Sequence, residues 1–264
     1  MSIDIKSVTT SQLQIFFDDQ KLALGTGFFY EEENNYYLVT NWHNVTGRDP
    51  FTLKPLDKDN KIPNHITLSL NLKGKLGSWI EFDVPLYEDT KCEQVRWFVH
   101  PQYIHAVDVV VIPLKIPAEV IIYAVNNKEI SKTPDMRISI AQDVFVLGYP
   151  RGLSGGGLFP IWKRATIATE PDVQIDGLPK MFIDTATREG MSGAPVYAIS
   201  NGVYQDTQGN SNVMAGGGVL FVGIYSGRNI GKTEIEAQLG IVWKPEVIKM
   251  IIKAKQVGVS SFKI

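Results

Sequence analysis

The sequence predicts an all-β protein with two β-rich halves and one helix near its C-terminus. Short runs rich in Val, Ile, Phe and Tyr recur along the 264 residues, and clusters of Gly, Pro, Asn and Asp separate them. Apolar residues make up 44% of the chain and charged residues 20%, so the chain can bury a large core. The two halves are similar in length, which favours two barrels over one parallel sheet.

The first half contains six predicted strands. Residues 66–72 alternate between apolar and polar side chains, which is the period of a strand with one buried face. Residues 27–30 and 36–40 form a predicted hairpin, with residues 31–35 as its polar turn. The predicted strands of this half cover residues 14–17, 27–30, 36–40, 66–72, 79–84 and 107–114.

The second half begins near Ile138 and contains six predicted strands and a helix. Pro245 suits the first position of a helix, and Lys253 and Lys255 suit the negative end of the helix dipole. One apolar stripe runs along this helix and consists of Val247, Ile248, Ile251 and Ile252. The predicted strands cover residues 143–147, 162–169, 181–185, 195–200, 219–225 and 240–243, and the predicted helix covers residues 244–255.

Residues 118–134 lie between the two groups of strands and are the predicted connection between them. The sequence therefore predicts a first barrel within residues 1–125 and a second barrel, ending in the helix, within residues 126–264. The chain has no internal repeat of fixed period and no low-complexity tract that suggests another division.

Charge and cysteine content argue against several classes of function. With 26 basic and 28 acidic residues the net charge is -2, so no basic excess predicts binding to nucleic acid. Cys92 is the single cysteine, which rules out an intramolecular disulfide and a zinc site built from several cysteines. The N-terminal residues do not resemble a secretory signal, and the apolar runs are too short to span a bilayer. We therefore expect a cytoplasmic protein without membrane contact, cofactor or metal.

Three segments each place a reactive side chain among small or turn-forming residues. His43 follows directly after a predicted strand, Asp108 interrupts an apolar run, and Ser192 has glycines at positions 190 and 193. Each feature by itself is common in proteins without catalytic function. Together they supply what nucleophilic acyl transfer requires, namely a base that activates a serine and a carboxylate that orients the base.

These segments resemble the trypsin-like (chymotrypsin-fold) serine peptidases, and the bacterial HtrA-like peptidase domain without a PDZ domain is the most similar branch. The resemblance covers most of residues 22–255. It rests, in chain order, on residues 25–28, 39–43, 100–101, 107–114, 144–150, 184–195 and 221–226. It implies two six-stranded antiparallel β-barrels followed by a C-terminal helix.

The resemblance also implies roles for individual residues. His43 is the expected general base, Asp108 the residue that orients it, and Ser192 the nucleophile. The backbone N–H groups of Gly190 and Ser192 are the expected oxyanion hole. Met191 stands where peptidases activated by a new N-terminus carry an aspartate, so that route of activation is not expected here.

The same correspondence places a set of residues around the specificity pocket, in which Ala186 would form the base. An alanine there has no charge for a lysine or arginine substrate, so a small or medium apolar P1 residue is expected. Two alternatives stay open, since Arg228 could instead favour an acidic residue or point to solvent. The expected substrate-binding residues are Ala186, Thr187, Ser226, Gly227, Arg228 and Gly240.

The main hypothesis is a serine endopeptidase that acts on a peptide or protein substrate. One alternative is a peptide-binding module on a protease fold that performs no catalysis, since fold does not fix function. Another is a latent protease that needs an activating protein partner. His105 is the rival candidate for the base, and Cys92, in a polar stretch without flanking glycines, is predicted to be an inert thiol.

Overall fold

The computed structural model describes residues 3–133, 135–186, 188–215, 217–228 and 239–264, except the side chain of Arg228. The strands in this part of the chain are β1 (Thr10–Phe17), β2 (Gln20–Glu32), β3 (Asn35–Thr40), β4 (His65–Leu72), β5 (Trp79–Pro85), β6 (Val110–Leu114), β7 (Val120–Ile121), β8 (Asp143–Gly148), β9 (Ile161–Ile167), β10 (Lys180–Asp184), β11 (Pro195–Ser200), β12 (Val203–Gln205), β13 (Ser211–Val213), β14 (Gly218–Arg228) and β15 (Leu239–Trp243). The helices are α1 (Trp42–Thr46) and α2 (Glu246–Ala254), with 3-10 turns at Ile5–Val8, Pro150–Gly152 and Ser261–Lys263.

The first unit is a curled antiparallel sheet of seven strands in the order β5-β4-β1-β2-β3-β6, with β7 paired to β4. Its alternating side chains close over a core, as in β4, where Ile66, Leu68 and Leu70 are all buried. The predicted hairpin of β2 and β3 forms, with Phe28 opposite Val39. This curled half-barrel corresponds to the first barrel of the predicted pair, although it has one strand more than the six expected and its end strands, β5 and β6, do not pair with each other.

The second unit is a closed barrel of six antiparallel strands in the order β10-β15-β14-β11-β8-β9. Its interior contains buried side chains from each side of the barrel, including Val144, Val196 and Val242. The predicted all-β double-barrel fold is therefore confirmed. The short hairpin of β12 and β13, which the sequence did not predict, lies outside the barrel sheet.

The C-terminal helix α2 covers the core with the stripe that the sequence predicted. Val247, Ile248, Ile251 and Ile252 are all buried in one cluster with residues of both sheets. The helix begins one residue after Pro245 and ends before Lys255, whose left-handed backbone lets its N–H bond to the carbonyl of Ile251.

His43 lies in the short helix α1, which follows β3 and which the sequence did not predict. Residues 42–46 form one helical turn that Gly47 ends in a left-handed conformation. The predicted start of the strand at residues 107–114 was wrong, because Asp108 precedes β6 and pairing with β3 begins at Val110. His43 and Asp108 therefore lie next to the ends of adjacent strands.

The structure leaves two further expectations as they were. The boundary between residues 125 and 126 remains a prediction. Within the described ranges, no helix has the length and apolar content needed to cross a lipid bilayer.

Candidate active site

Asp108 is the buried charge around which the site is arranged. Asp108 is 2% exposed, so its carboxylate requires hydrogen-bond donors from the protein. Oδ2 lies 2.7 Å from Nδ1 of His43, and Oδ1 accepts a hydrogen bond of 3.0 Å from the backbone N–H of His43. The hydroxyl of Ser226 also donates to Oδ2. Three donors therefore hold the carboxylate in one orientation.

The ends of two strands position this pair. Asn41, which directly follows β3, donates from its side-chain amide to the carbonyl of Asp108 at 2.7 Å. Helix α1 then places His43 two residues later, with its side chain 17% exposed. Because Nδ1 faces a carboxylate, Nδ1 carries the proton and Nε2, on the other side of the ring, is the basic nitrogen.

The surroundings of His43 change its acidity in two opposing ways. Burial disfavours the charged imidazolium and is the largest single influence. The charge and hydrogen bond of Asp108, with a smaller contribution from Asp49, outweigh it, so the pKa of His43 is raised above its usual value. An imidazole with this environment is a stronger base than a solvated histidine.

Ser192 lies on a tight turn between β10 and β11 that only glycine can form at two positions. Gly190 and Gly193 have φ angles of +89° and +87°. A β-carbon at Gly190 would collide with the carbonyl of Tyr149, and one at Gly193 would collide with the carbonyl of Thr26. The flanking glycines that the sequence singled out are therefore required by both conformation and space.

The backbone groups of this turn divide into two sets. The N–H groups of Met191, Gly193 and Ala194 bond to the carbonyls of Arg188, Tyr225 and Met191, respectively. Among the residues that the structure describes, the N–H groups of Gly190 and Ser192 have no acceptor within the protein.

The peptide between Glu189 and Gly190 is held from the other side of the turn. The carbonyl of Glu189 bonds to the N–H of Arg151 at 2.7 Å. Because C=O and N–H of a trans peptide point in opposite directions, this bond turns the Gly190 N–H away from Arg151.

His43, Gly190 and Ser192 line one cleft of about 950 Å³. The cleft extends along residues 21–24 of β2 to the loop at residues 56–61. At Leu24 the edge of β2 that faces away from β1 pairs with no strand of the described chain, because pairing with β3 begins only at Phe28. The cleft therefore combines two reactive side chains with an open strand edge.

The residues expected around a specificity pocket are placed in part. Ala186 is exposed, and a β-carbon at Gly227 would lie 3.7 Å from Oγ of Ser192. Ser226 contacts Asp108, a role that the sequence did not predict. Thr187 and the side chain of Arg228 lie outside the described residues.

Gly240 lies against packed side chains. A β-carbon there would approach Tyr225 Cε2 to 2.6 Å and Thr185 Cγ2 to 3.0 Å. The space next to Gly240 is therefore already filled by the barrel interior. Its expected role as a pocket wall stays a prediction.

The other candidate nucleophile and base have different environments. His105 packs against the ring of Trp42 at a centroid distance of 5.7 Å, whereas the carboxylate of Asp108 bonds to His43. Burial and the charges of Asp89 and Asp18 raise the pKa of the Cys92 thiol, so it stays protonated at neutral pH. In the described part of the chain, no three His, Cys, Asp or Glu side chains are grouped as metal ligands.

A family model described as the trypsin-like peptidase domain matches residues 25–204. The chain belongs to the trypsin-like peptidase domain family. The match includes the positions of His43, Asp108 and Ser192. No curated protein sequence gives a significant match.

Solved structures of proteases are similar to this trypsin-like domain at low sequence identity. A serine endoprotease from Yersinia pestis matches with a TM-score of 0.50 and 14% identity, covering 94% of this chain and 62% of that chain. The active form of the Rv3671c protease from M. tuberculosis has a TM-score of 0.48 and 19% identity, covering 96% and 82%. The MamO protease domain from Magnetospirillum magneticum has a TM-score of 0.49 and 12% identity, covering 93% and 96%. At 14% identity the likeness to the Yersinia pestis structure shows the fold alone.

Proposed function

We propose that this protein is a serine endopeptidase in which Ser192 is the nucleophile, His43 the general base and Asp108 the residue that orients the base. The observation that carries the proposal is the hydrogen bond between the buried carboxylate of Asp108 and Nδ1 of His43. His43 and Ser192 line the same cleft. Membership of the trypsin-like peptidase domain family supports it independently. The reaction uses side chains, backbone N–H groups and water.

In the first step Oγ of Ser192 attacks the carbonyl carbon of the scissile peptide, and its proton passes to Nε2 of His43. The carbonyl π electrons move to oxygen, which gives a tetrahedral intermediate. The free N–H groups of Gly190 and Ser192 stabilise the negative charge on that oxygen. The carboxylate of Asp108 stabilises the imidazolium of His43.

In the second step the C–N bond breaks, and His43 returns its proton to the leaving amine. This leaves an ester between the substrate acyl group and Ser192. Water then attacks the ester and gives a proton to Nε2 of His43. The bond between the acyl carbon and Oγ breaks, and His43 returns the proton to Oγ of Ser192, which leaves a carboxylic acid product. Each proton that His43 accepts is thus returned within the same half of the cycle.

The cleft supports cleavage within a chain over removal of a terminal residue. An extended substrate peptide can pair with the open edge of β2 at Leu24 and add a strand there. On the acyl side we propose a small or medium apolar P1 residue, since Ala186 carries no charge. Peptide-library profiling tests this preference, and dominant cleavage after Lys or Arg would refute it.

A fluorophosphonate probe tests the proposed nucleophile. Wild-type protein should gain the mass of one probe adduct by intact mass spectrometry, because the probe reacts only with an activated serine. Ser192→Ala and His43→Ala should both lose the adduct. His105→Ala is the matched control, since it removes a nearby histidine that packs on Trp42, and it should keep the adduct.

Two results would contradict the proposal. Labelling that survives in His43→Ala and disappears in His105→Ala would identify a different base. A wild-type protein that is folded and is never labelled would leave a peptide-binding module or a partner-activated protease as the better account.

A further inference from the structure

A threonine of the first sheet bonds to the turn that carries Ser192 in the second barrel. We call this turn, residues 190–193, the nucleophile turn. Thr26 lies in β2, is fully buried, and is separated by 164 residues from its partner Gly190. Its hydroxyl donates to the carbonyl of Gly190 at 2.7 Å, and its backbone N–H donates to the carbonyl of Ser192 at 2.8 Å. One residue therefore binds the carbonyls on both sides of Met191.

These two bonds act on the peptides next to the free N–H groups. A peptide is planar, so fixing its carbonyl fixes the whole plane. Thr26 fixes the planes that begin at Gly190 and at Ser192, and the plane between them carries the N–H of Ser192. The orientation of that N–H is thus set from both sides.

The same hydroxyl connects the turn to residues 149–151, which follow β8. Oγ1 of Thr26 accepts a hydrogen bond of 3.3 Å from the N–H of Tyr149, and two residues later Arg151 holds the carbonyl of Glu189. Because that carbonyl belongs to the peptide of the Gly190 N–H, Thr26 is connected to the second free N–H as well.

Thr26 is itself held rigidly. Its carbonyl accepts from the hydroxyl of Thr40 at 2.8 Å, and the side-chain amide of Asn44 bonds to both Thr40 Oγ1 and the carbonyl of Ser192. Glycines on both sides of Thr26 leave room for the packed side chains around it. A β-carbon at Gly25 would lie 2.9 Å from Asn44, and one at Gly27 would lie 2.7 Å from Leu38. In the Gly-Thr-Gly sequence of β2, the two glycines thus avoid steric clashes and the threonine bonds to the nucleophile turn.

We propose that Thr26 is a positioning residue that sets the oxyanion hole of this enzyme from the opposite barrel. The inference rests on the proposed function, because it concerns the N–H groups of Gly190 and Ser192. Thr26 touches neither substrate nor the reacting atoms. It acts through the turn, and its side-chain hydroxyl is the group that matters.

Thr26→Val tests the proposal, because valine keeps the shape and removes the hydroxyl. The second-order rate of fluorophosphonate labelling should fall about 100-fold, the loss typical of a misplacement of about 1 Å. Thr26→Ser should stay within about threefold of wild type, since it restores the donor. With a peptide substrate found by library profiling, kcat should fall in Thr26→Val while KM changes little.

Thr9→Val is the matched control. Thr9 is also fully buried, and its hydroxyl also reaches the second barrel, where it bonds to Tyr197 at 3.0 Å. None of its hydrogen bonds in the described structure reaches the nucleophile turn. Its loss should lower the melting temperature about as much as Thr26→Val and leave the labelling rate unchanged.

A crystal structure of Thr26→Val provides a readout that does not depend on catalysis. We expect the Gly190 carbonyl to turn and the Gly190 peptide to change its plane. An unchanged turn, or a labelling rate equal to that of Thr9→Val, would overturn the role of Thr26. If wild type is never labelled but the variant's turn moves, the proposed function fails while the positioning role of Thr26 stands.

Discussion

At the scale of single residues, the proposed catalysis depends on the hydrogen bonds that the protein donates to Asp108. Its carboxylate receives the imidazole N–H and backbone N–H of His43 and the hydroxyl of Ser226. These donors replace the hydrogen bonds to water that a buried carboxylate has lost. The carboxylate of Asp108 in turn holds His43 in the tautomer with a free Nε2.

Replacing Asp108 by asparagine should test this dependence. The amide keeps the size of the side chain but has no negative charge, and its N–H can face Nδ1. His43 can then adopt the tautomer with the proton on Nε2. We expect kcat for peptide hydrolysis to fall about 10⁴-fold, the loss known for this substitution in a serine protease triad. The control is Asp143→Asn, which removes a carboxylate paired with Arg164 at the surface and should keep wild-type kcat. Equal activity of the two variants would show that Asp108 has no catalytic part.

The raised pKa of His43 predicts the pH dependence of activity. His43 acts as a base only when neutral, so the acidic limb of kcat/KM should have its midpoint above the usual histidine pKa of about 6.5. In Asp108→Asn the charge of Asp108 and its charged hydrogen bond are lost, while burial and the smaller contribution of Asp49 remain, so the residual activity should show a midpoint at lower pH. A wild-type midpoint clearly below 6.5 would contradict the proposed pairing.

The same shift has a defined effect on stability. Because the folded state binds the His43 proton more tightly than the unfolded chain, His43 stabilises the fold below about pH 6.5. This contribution is lost as the pH rises through the raised pKa of the folded state.

At the scale of elements, the site is assembled from strand ends and one tight turn. The end of β3 and helix α1 supply His43, the approach to β6 supplies Asp108, and β14 supplies Ser226. The turn before β11 supplies Ser192. Since these strands end close together, small loops and turns are enough to bring His43 and Ser192 to one cleft, with Asp108 and Ser226 behind His43.

Gly193→Ala should show that the nucleophile turn tolerates no side chain. Alanine there would have φ near +87° and would collide with the carbonyl of Thr26, so we expect loss of probe labelling and a lower melting temperature. Gly209→Ala is the control, because Gly209 has φ of +88° with nothing within 4 Å of its β-carbon position. That variant should lose only the backbone term of about 1–2 kcal/mol in the free energy of unfolding and remain fully labelled. Normal labelling of Gly193→Ala would contradict the described turn.

At the scale of the whole molecule, the barrels share a core. One buried cluster contains Phe28 and Val39 of the first sheet, Phe221 of the second barrel and Val247 of α2. The rings of Phe28 and Phe221 lie 5.4 Å apart. Because no disulfide is available to a chain with one cysteine, core packing and the bonds around Thr26 hold the barrels together.

Phe221→Ala should therefore destabilise both barrels at once. We expect a loss of about 3–5 kcal/mol in the free energy of unfolding, as for other buried aromatic residues. Circular dichroism and tryptophan fluorescence should report one shared denaturation midpoint. Phe51→Ala, which removes a phenylalanine that is 69% exposed, should change the midpoint little. Two separate transitions, with only the second-barrel transition shifted, would show that the barrels unfold independently.

Much of this architecture could be predicted from sequence, because periodicity and turn residues act locally. Each of the predicted strands overlaps an observed strand, and α2 buries its predicted stripe. The pattern did not predict α1, β7 or the hairpin of β12 and β13. These elements are two to five residues long, too short for a helical or strand period to appear.

The sequence by itself determined the order of His43, Asp108 and Ser192, the glycines around the serine, and the lack of disulfides. These features are encoded by residue type and by spacing along the chain. Only the tertiary structure decided which histidine meets the carboxylate, that Ser226 bonds to Asp108, and that Thr26 holds the Gly190 carbonyl. Those contacts join residues 65 to 164 positions apart, and a hydrogen bond over such a separation has no local pattern from which it can be predicted.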